Sequence, residues 1–240
     1  VVAELAGLGH PLGIAIDAAG RIYVGRPDRR SVEVLSQAGE HLATFGEGQV
    51  QMPNDLALDA AGNLYVADSR AHEVKVYGPD GILRLTLGGL GDGDGSFRFP
   101  SALALAEGLD GEGGELFVAD QGHARIQVFD LQGHFLRAFG QAVPAFTEDW
   151  HGRFVKVQSL ALDALGNLHV ADTGLNRIQV LDPLTGVMLA AYGGLGSGPE
   201  ELNLPLDLVV LASGAAVVAD AGNRRLTVIP PEVIAAGAQE

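Results

Sequence analysis

Short runs of apolar or alternating residues, separated by turn residues, follow one another along the chain. In one stretch, Leu56–Leu58 is apolar, Leu64–Ala67 is largely apolar, and Glu73–Tyr77 alternates polar and apolar side chains. The turn triplets at 61–63 and 79–81 contain Gly, Asn, Pro and Asp. Short runs bounded by such residues predict antiparallel strands. We expect the first strand of each set to be buried on both faces, and the last to be the most exposed.

This pattern of runs recurs about five times. One column of the aligned copies holds Tyr23, Tyr65, Phe117, His169 and Val217. Four strands per copy, repeated along the chain, are typical of propeller blades. We therefore predict an all-β chain, a β-propeller of about five four-stranded blades in a single domain over 1–240. The predicted blades are 11–47, 53–90, 100–141, 157–194, and 205–229 together with 1–7.

The most regular part of each copy is a Val-Ala-Asp triplet, a short loop and an Arg-Ile-x-Val run. It reads VADQGHARIQVFD at 118–130 and VADTGLNRIQVLD at 170–182. This pattern resembles the NHL-repeat family and implies a propeller over nearly the whole chain, of the kind that commonly serves as an interaction platform. The first copy departs from the pattern with Gly25-Arg26 in place of Ala-Asp. Propellers of that family usually have six blades, so an alternative is a six-bladed ring with one blade missing.

The ends of the chain decide how the ring closes. The run at 1–7 matches a fourth strand, while the last copy reaches only a third strand before Pro230-Pro231. We predict that the N-terminal strand joins the last blade, because closing the ring removes a free sheet edge. In the alternative, Val233–Ala236 forms that strand. The chain begins at Val1 and not at Met, as a mature form or a piece of a longer chain would.

The composition of the chain limits the kinds of partner that it is expected to bind. The formal net charge is −15, which disfavours nucleic acid, because phosphate backbones are bound by clustered Lys and Arg. No apolar stretch reaches the roughly 18 residues of a membrane span, so we predict no membrane insertion. The chain has no cysteine, which excludes disulfides and thiolate chemistry, and its compartment stays open.

Polar residues stand just before the predicted first strands, where a propeller places them around the mouth of its channel. They are Asn54, Asp55, Ser101, Gln158, Ser159 and Asp207. Asp55 and Asp207 are candidate ligands for Ca²⁺ or another divalent cation, since hard cations prefer carboxylate and amide oxygens. The alternative is that these groups satisfy backbone donors and channel water, with no cofactor.

Further candidates lie in loops predicted on the same face. The insertion 141–156 holds the single tryptophan, Trp150, beside His151 and Arg153. An aromatic side chain with a neighbouring arginine is a common anchor for a partner, although such a loop also serves as a lid over the blades. Arg70, His72 and His123 lie in loops between second and third strands, and the two histidines are placed to meet.

An acidic column recurs in the copies at Asp68, Asp120, Asp172 and Asp220. Three of these are followed by Arg125, Arg177 and Arg225, which favours a structural ion pair in each copy.

Two functions fit these residues. The first is a non-catalytic scaffold that binds a protein, a peptide or a small ligand at the channel mouth. The alternative is a metal-assisted, lactonase-like hydrolase or lyase that uses an axial cation as Lewis acid. Serine-hydrolase and P-loop signatures are absent from the sequence.

Overall fold

The computed structural model describes residues 7–108, 113–144 and 150–237. Contacts divide the chain into two compact units, one up to Val118 plus Phe129–Phe135, the other Ala119–Val128 plus 136–240. The regular structure in both units is almost entirely β.

The first unit contains two complete antiparallel sheets in which sequential strands are neighbours. Their strands are β1 Ile14–Ile16, β2 Ile22–Arg26, β3 Ser31–Leu35 and β4 His41–Phe45, then β5 Pro53–Leu58, β6 Leu64–Asp68, β7 Glu73–Tyr77 and β8 Leu83–Gly88.

The division between the units passes through the third sheet. Its strands are β9 Pro100–Glu107, β10 Gly114–Asp120, β11 Arg125–Asp130 and β12 Phe135–Phe139.

The second unit continues with a four-stranded sheet, a three-stranded sheet and one helix. They comprise β13 Val157–Leu162, β14 Leu168–Asp172, β15 Arg177–Leu181 and β16 Met188–Gly193, then β17 Pro205–Val210, β18 Ala216–Asp220 and β19 Arg225–Ile229, and finally α1 Pro231–Ala236. The prediction of an all-β chain of about five blades is confirmed.

The core of each unit lies between consecutive sheets. In the first unit, Tyr23 and Val32 of one sheet pack against Val66 of the next. In the second unit, Ile178 and Val218 pack together in the same way. Each such side chain contributes about 1.5–3 kcal/mol when fully buried. Sheet-to-sheet burial is therefore the main source of stability within each unit.

The glycine that closes each repeat has a steric role. Gly193 has a φ of 94°, and a Cβ there would lie 2.7 Å from Cδ1 of Leu202. Leu202, in the connector to the next sheet, is fully buried. A side chain at 193 would therefore meet both backbone strain and a clash.

The outcome at the last sheet differs from the sequence expectations. Residues 1–6, the predicted closing strand, lie outside the described residues, and the last sheet has three strands among those described. The alternative closing strand at 233–236 is wrong, because these residues belong to α1. Pro231 occupies the first turn, where a missing N–H costs nothing, and Val233 and Ile234 pack on the core of the second unit.

Four of the five first strands are also less buried than predicted, whereas the first five residues of β9 are all buried. In β5 only Pro53 and Leu56 are buried, whereas every residue of β6 is. A first strand has one hydrogen-bonded neighbour and lies at the edge of its sheet. Part of its surface therefore stays accessible.

Among the residues the structure covers, no helix is long and apolar enough to span a membrane.

Candidate functional site

The predicted mouth residues of the first unit form hydrogen bonds between two sheets. Asn54 Nδ2 donates to the Ser101 carbonyl at 2.7 Å. The Asp55 carboxylate accepts from the Leu56 and Leu103 backbone N–H groups, both at 2.8 Å. Asn54, Asp55 and Ser101 therefore lie together and join β5 to β9.

The mouth residues of the second unit repeat this arrangement between β13 and β17. Ser159 Oγ donates to Asp207 Oδ1 at 2.6 Å, and the same oxygen accepts from the Leu208 N–H at 2.9 Å. Gln158 Oε1 accepts a hydrogen bond from Gln121 Nε2. The polar column thus satisfies backbone and side-chain groups where two sheets meet.

The cation site proposed at Asp55 and Asp207 gains no support from this geometry. Each carboxylate already accepts protein hydrogen bonds. Across the described parts of the chain, no group of three or more His, Asp or Glu side chains is placed to hold a metal ion. The cation at these two positions stays a prediction.

The two loop histidines each have a partner within their own unit. His72, with a φ of 61°, accepts from the Phe99 N–H through Nδ1 at 3.0 Å, and its ring lies edge-on to Phe99. His123 Nδ1 lies 2.9 Å from Asp120 Oδ2. Arg70 is exposed.

The repeated aspartates are wholly buried acceptors, and two of them take the expected arginine. Arg125 Nε lies 2.8 Å from Asp120, and Arg225 Nε lies 2.8 Å from Asp220. Arg177 breaks the pattern, although it pairs in register with Asp172 on the neighbouring strand. Within the described ranges, its side chain makes no ion pair.

Backbone N–H groups occupy both oxygens of Asp172. Asp172 Oδ2 accepts from the Val155 N–H at 2.7 Å, and Oδ1 accepts from the Lys156 and Gly174 N–H groups, both at 2.9 Å. Two of these donors belong to the insertion. Asp68 also accepts two backbone N–H groups, from Gln51 and Met52, and still pairs with Lys75, so such donors alone do not exclude a cation.

The side chain of Gln179, in β15, binds the backbone of the insertion at residues 152 and 153. Gln179 Oε1 accepts from the Gly152 N–H at 2.9 Å, and Nε2 donates to the Arg153 carbonyl at 2.7 Å. The Arg153 N–H donates to the Trp150 carbonyl at 2.9 Å, which closes a turn. The described end of the insertion is thus bound to the sheet by side chains that point toward it.

This turn stacks an indole on a guanidinium. Cζ of Arg177 lies 3.7 Å from the centre of the Trp150 ring. The His151 ring stacks on Trp150 at 4.5 Å between centroids, 17° from parallel. A cavity of about 270 Å³ adjoins the stack, with Met188 and Tyr192 in its wall.

The electrostatics of this stack are unusual. Arg177 Nε is buried and has no hydrogen-bond partner among the described residues. Burial lowers the pKa of the Arg177 guanidinium, and the negative charge of Asp172 only partly offsets that effect. A buried donor without an acceptor costs about 1–3 kcal/mol. The arrangement can therefore accept an anion, and an aromatic surface lies beside it.

The sequence identified Trp150, His151 and Arg153 but not Arg177. In sequence, Arg177 belongs to the repeated Asp–Arg pattern. The feature that distinguishes it is Trp150 in the insertion just before β13, on which Arg177 stacks.

Solved structures with similar folds define the class of protein. A streptogramin B lyase matches 92% of this chain and 66% of its own, with 15% identity and a TM-score of 0.67. A virginiamycin B lyase from Staphylococcus aureus matches 94% and 71%, with 12% identity and a TM-score of 0.60. A chain of the nidogen/laminin complex matches 92% and 80%, with 17% identity and a TM-score of 0.64. The fold is that of a β-propeller, here with five blades.

The sequence of the repeat shows which kind of propeller the chain resembles. The NHL repeat profile matches residues 50–77, which cover β5 to β7. The NHL-repeat resemblance seen in the sequence is confirmed, since this copy of the repeat matches the NHL profile.

Two curated relatives share this chain's sequence over part of their length. The human E3 ubiquitin-protein ligase TRIM32 is 26% identical over 237 residues, which is 93% of this chain and 33% of that protein. The Drosophila melanogaster protein brain tumor is 27% identical over 148 residues, 61% of this chain and 13% of that protein. The chain thus spans a third or less of each relative.

Proposed function

We propose that this propeller is a non-catalytic protein-binding scaffold, and that the Trp150–Arg177 stack anchors an acidic group of its partner. The observation that carries the proposal is the buried Arg177 Nε, which has no acceptor in the described part of the chain and whose guanidinium is covered by an aromatic ring. A carboxylate from a partner would supply the missing acceptor and neutralise the charge.

The charges near Trp150 in the sequence have both signs. The chain carries a net charge of −15, and in the stretch around Trp150 the acidic Glu148 and Asp149 precede the tryptophan, whereas Arg153 and Lys156 follow it. Long-range repulsion slows the approach of an acidic partner, so the proposal depends on the local positive charge of Arg177.

The names of similar proteins also support binding. One propeller of the same fold was solved within a complex of nidogen and laminin. TRIM32 is an E3 ubiquitin-protein ligase, and this chain matches a third of it. The two structures named as lyases have 15% and 12% identity and support the fold alone. Within the described ranges, no acid or histidine cluster favours the metal-assisted alternative.

Peptide selection tests the proposal directly. Random twelve-residue peptides displayed on phage are selected against the wild-type protein, and the enriched peptides are resynthesised with each Asp or Glu replaced by its amide. We expect selection to enrich acidic residues. Binding is followed through the fluorescence of Trp150, the single tryptophan.

The magnitude follows from the loss of a desolvated charge pair. We expect Arg177→Met, and separately the amide peptide, to weaken binding by about tenfold or more. Arg84 is exposed and pairs with Asp80 at the surface, so Arg84→Met is the matched control and should bind as wild type does. Peptides without acidic enrichment, or equal affinity for wild type and Arg177→Met, would overturn the proposal.

A further inference from the structure

A second cavity lies within the second unit, away from the Trp150–Arg177 stack. It measures about 390 Å³ and is walled by the β13–β14 and β17–β18 hairpins, by β16 and by α1. Leu165, Leu189 and Ile234 provide much of its apolar wall. A concave, mostly apolar site of this size with a few polar groups is typical of small-molecule binding.

The polar end of the cavity is the carboxylate of Asp163, and no Lys or Arg lies among the described residues that line the cavity. Asp163 accepts from the Leu165 N–H, the Asn167 N–H and Asn167 Nδ2, each at 2.9 Å, and its Oδ2 lies 3.3 Å from His169 Nε2. Burial raises the pKa of Asp163, but the hydrogen bonds from Asn167, His169 and Leu165 together outweigh it, so this pKa lies below its ordinary value. Asp163 is therefore ionised at neutral pH.

The histidine beside it does not supply the balancing charge. His169 is almost completely buried, and its Nδ1 lies 3.3 Å from the hydroxyl of Tyr192. Burial lowers the pKa of His169 more than Asp163 raises it, so the ring is neutral at pH 7. The wall thus carries the negative charge of Asp163, and no Lys or Arg is among its residues.

Comparison with the first sheet shows what is missing. Asp17 occupies the position equivalent to Asp163, and Arg21 the position of Asn167. There Arg21 Nε pairs with Asp17 at 2.6 Å. In the second unit, the asparagine keeps the hydrogen bond but removes the cation.

The second sheet gives a related cavity that is smaller. It measures about 230 Å³ and is lined by the equivalent residues Asp59, Asn63 and Tyr65. His169 is shorter than the tyrosine of that column, and α1 adds an apolar wall. These two differences accompany the larger cavity in the second unit.

We infer that this cavity binds a small hydrophobic amine, with the ammonium group beside Asp163 and the apolar body against Leu189 and Ile234. Charge complementarity favours the amine over a neutral molecule of the same shape, because the cavity offers an ionised carboxylate and no competing cation. This inference is independent of the acidic-partner site at Arg177.

An isosteric pair of probes separates charge from shape. Naphthalen-1-ylmethylamine and naphthalen-1-ylmethanol are titrated into the full chain by calorimetry at pH 7. We expect the amine to bind about tenfold more tightly than the alcohol, as a partly screened charge pair predicts.

Two variants locate the site. Asn167→Arg recreates the Asp17–Arg21 pair, keeps the fold and should remove the preference for the amine. Ala235→Phe fills the cavity from the exposed side of α1 and should abolish binding of both probes. Asp59→Asn, in the smaller cavity, is the matched control and should leave the amine preference unchanged.

Different results would contradict the ligand class and the site itself. Equal affinities of amine and alcohol would overturn the assignment of an amine, even if Ala235→Phe blocked both. Amine binding that persists in Ala235→Phe, or no binding of either probe to the wild-type chain, would overturn the site.

Discussion

Replacement of two arginines at equivalent positions is expected to have very different effects on stability. Arg125 and Arg177 both begin the third strand of a sheet, and each follows a buried aspartate that ends the second strand of the same sheet. Arg125 bonds to Asp120, whose carboxylate is wholly buried. Arg177 has no such bond and stacks on Trp150 instead. Methionine is the chosen replacement because it preserves most of the apolar length without the charge.

The expected magnitudes follow from these partners. Removing one member of a buried ion pair leaves an uncompensated charge, and we expect Arg125→Met to lower the free energy of unfolding by about 3 kcal/mol. For Arg177→Met, the loss of the cation–π contact, about 1 kcal/mol, is offset by removal of a buried donor without an acceptor. The net change should lie within about 1 kcal/mol of zero.

Thermal and urea unfolding, followed by circular dichroism, measure the difference. For a chain of this length, we expect Arg125→Met to lower Tm by about 6–12 °C, and Arg177→Met to change it by about 4 °C at most. Arg84→Met controls for the loss of a surface charge and should change little. A loss of stability at Arg177 as large as that at Arg125 would show that Arg177 has a buried acceptor, and the reasoning would fail.

Three further predictions concern stability. Ser159→Ala removes the 2.6 Å bond to Asp207 and should cost about 1 kcal/mol in urea unfolding, because Asp207 is exposed to water; no loss would contradict its role between sheets. Burial lowers the pKa of His169, so the stability that the neutral ring contributes is complete above pH 6.5 and is lost as pH falls through the folded-state pKa. His169→Tyr should flatten that part of a stability–pH curve, and an unchanged curve would refute this. Burial raises the pKa of Tyr77 to about 12, so stability should fall between about pH 10 and 12, and Tyr77→Phe should reduce that fall in alkaline unfolding curves.

The fold could be predicted because the same pattern of strands recurs along the chain. Each copy carries the same run of strands, and the Tyr23 and Tyr65 column is buried in the structure as expected of a core position. The structure of the C-terminal segment was harder to predict from the sequence. Val233 and Ile234 are β-branched and apolar, which suits a strand, but Pro231 and the packing of α1 on β16 favour a helix. Tertiary packing overrides local preference at such a short segment.

The candidate site was predicted only in part. Trp150, His151 and Arg153 stand out in sequence because they lie in the least repetitive stretch. Arg177 could not be identified in that way, because its sequence context matches that of Arg125. Arg177 stacks on Trp150, and the sequence does not reveal that the insertion brings these two side chains together.

The mouth residues are a third case. Asn54, Ser159 and Asp207 are polar and adjacent to first strands, which suits a ligand at the channel mouth or the satisfaction of backbone groups. The structure pairs them with groups of the neighbouring sheet, and a ligand at these residues stays a prediction. A polar residue at a strand start has backbone groups within reach, and the sequence does not reveal which donor or acceptor satisfies it.

The central claim is that Arg177 holds a buried donor ready for a partner's carboxylate. The side-chain Nε–H signals of the arginines, recorded by ¹H–¹⁵N correlation spectroscopy with and without a selected acidic peptide, test it most directly. We predict that the Arg177 signal, assigned with Arg177→Met, shifts downfield and exchanges more slowly with water when the peptide binds. A peptide that saturates the protein while the Arg177 signal stays in place would contradict the account.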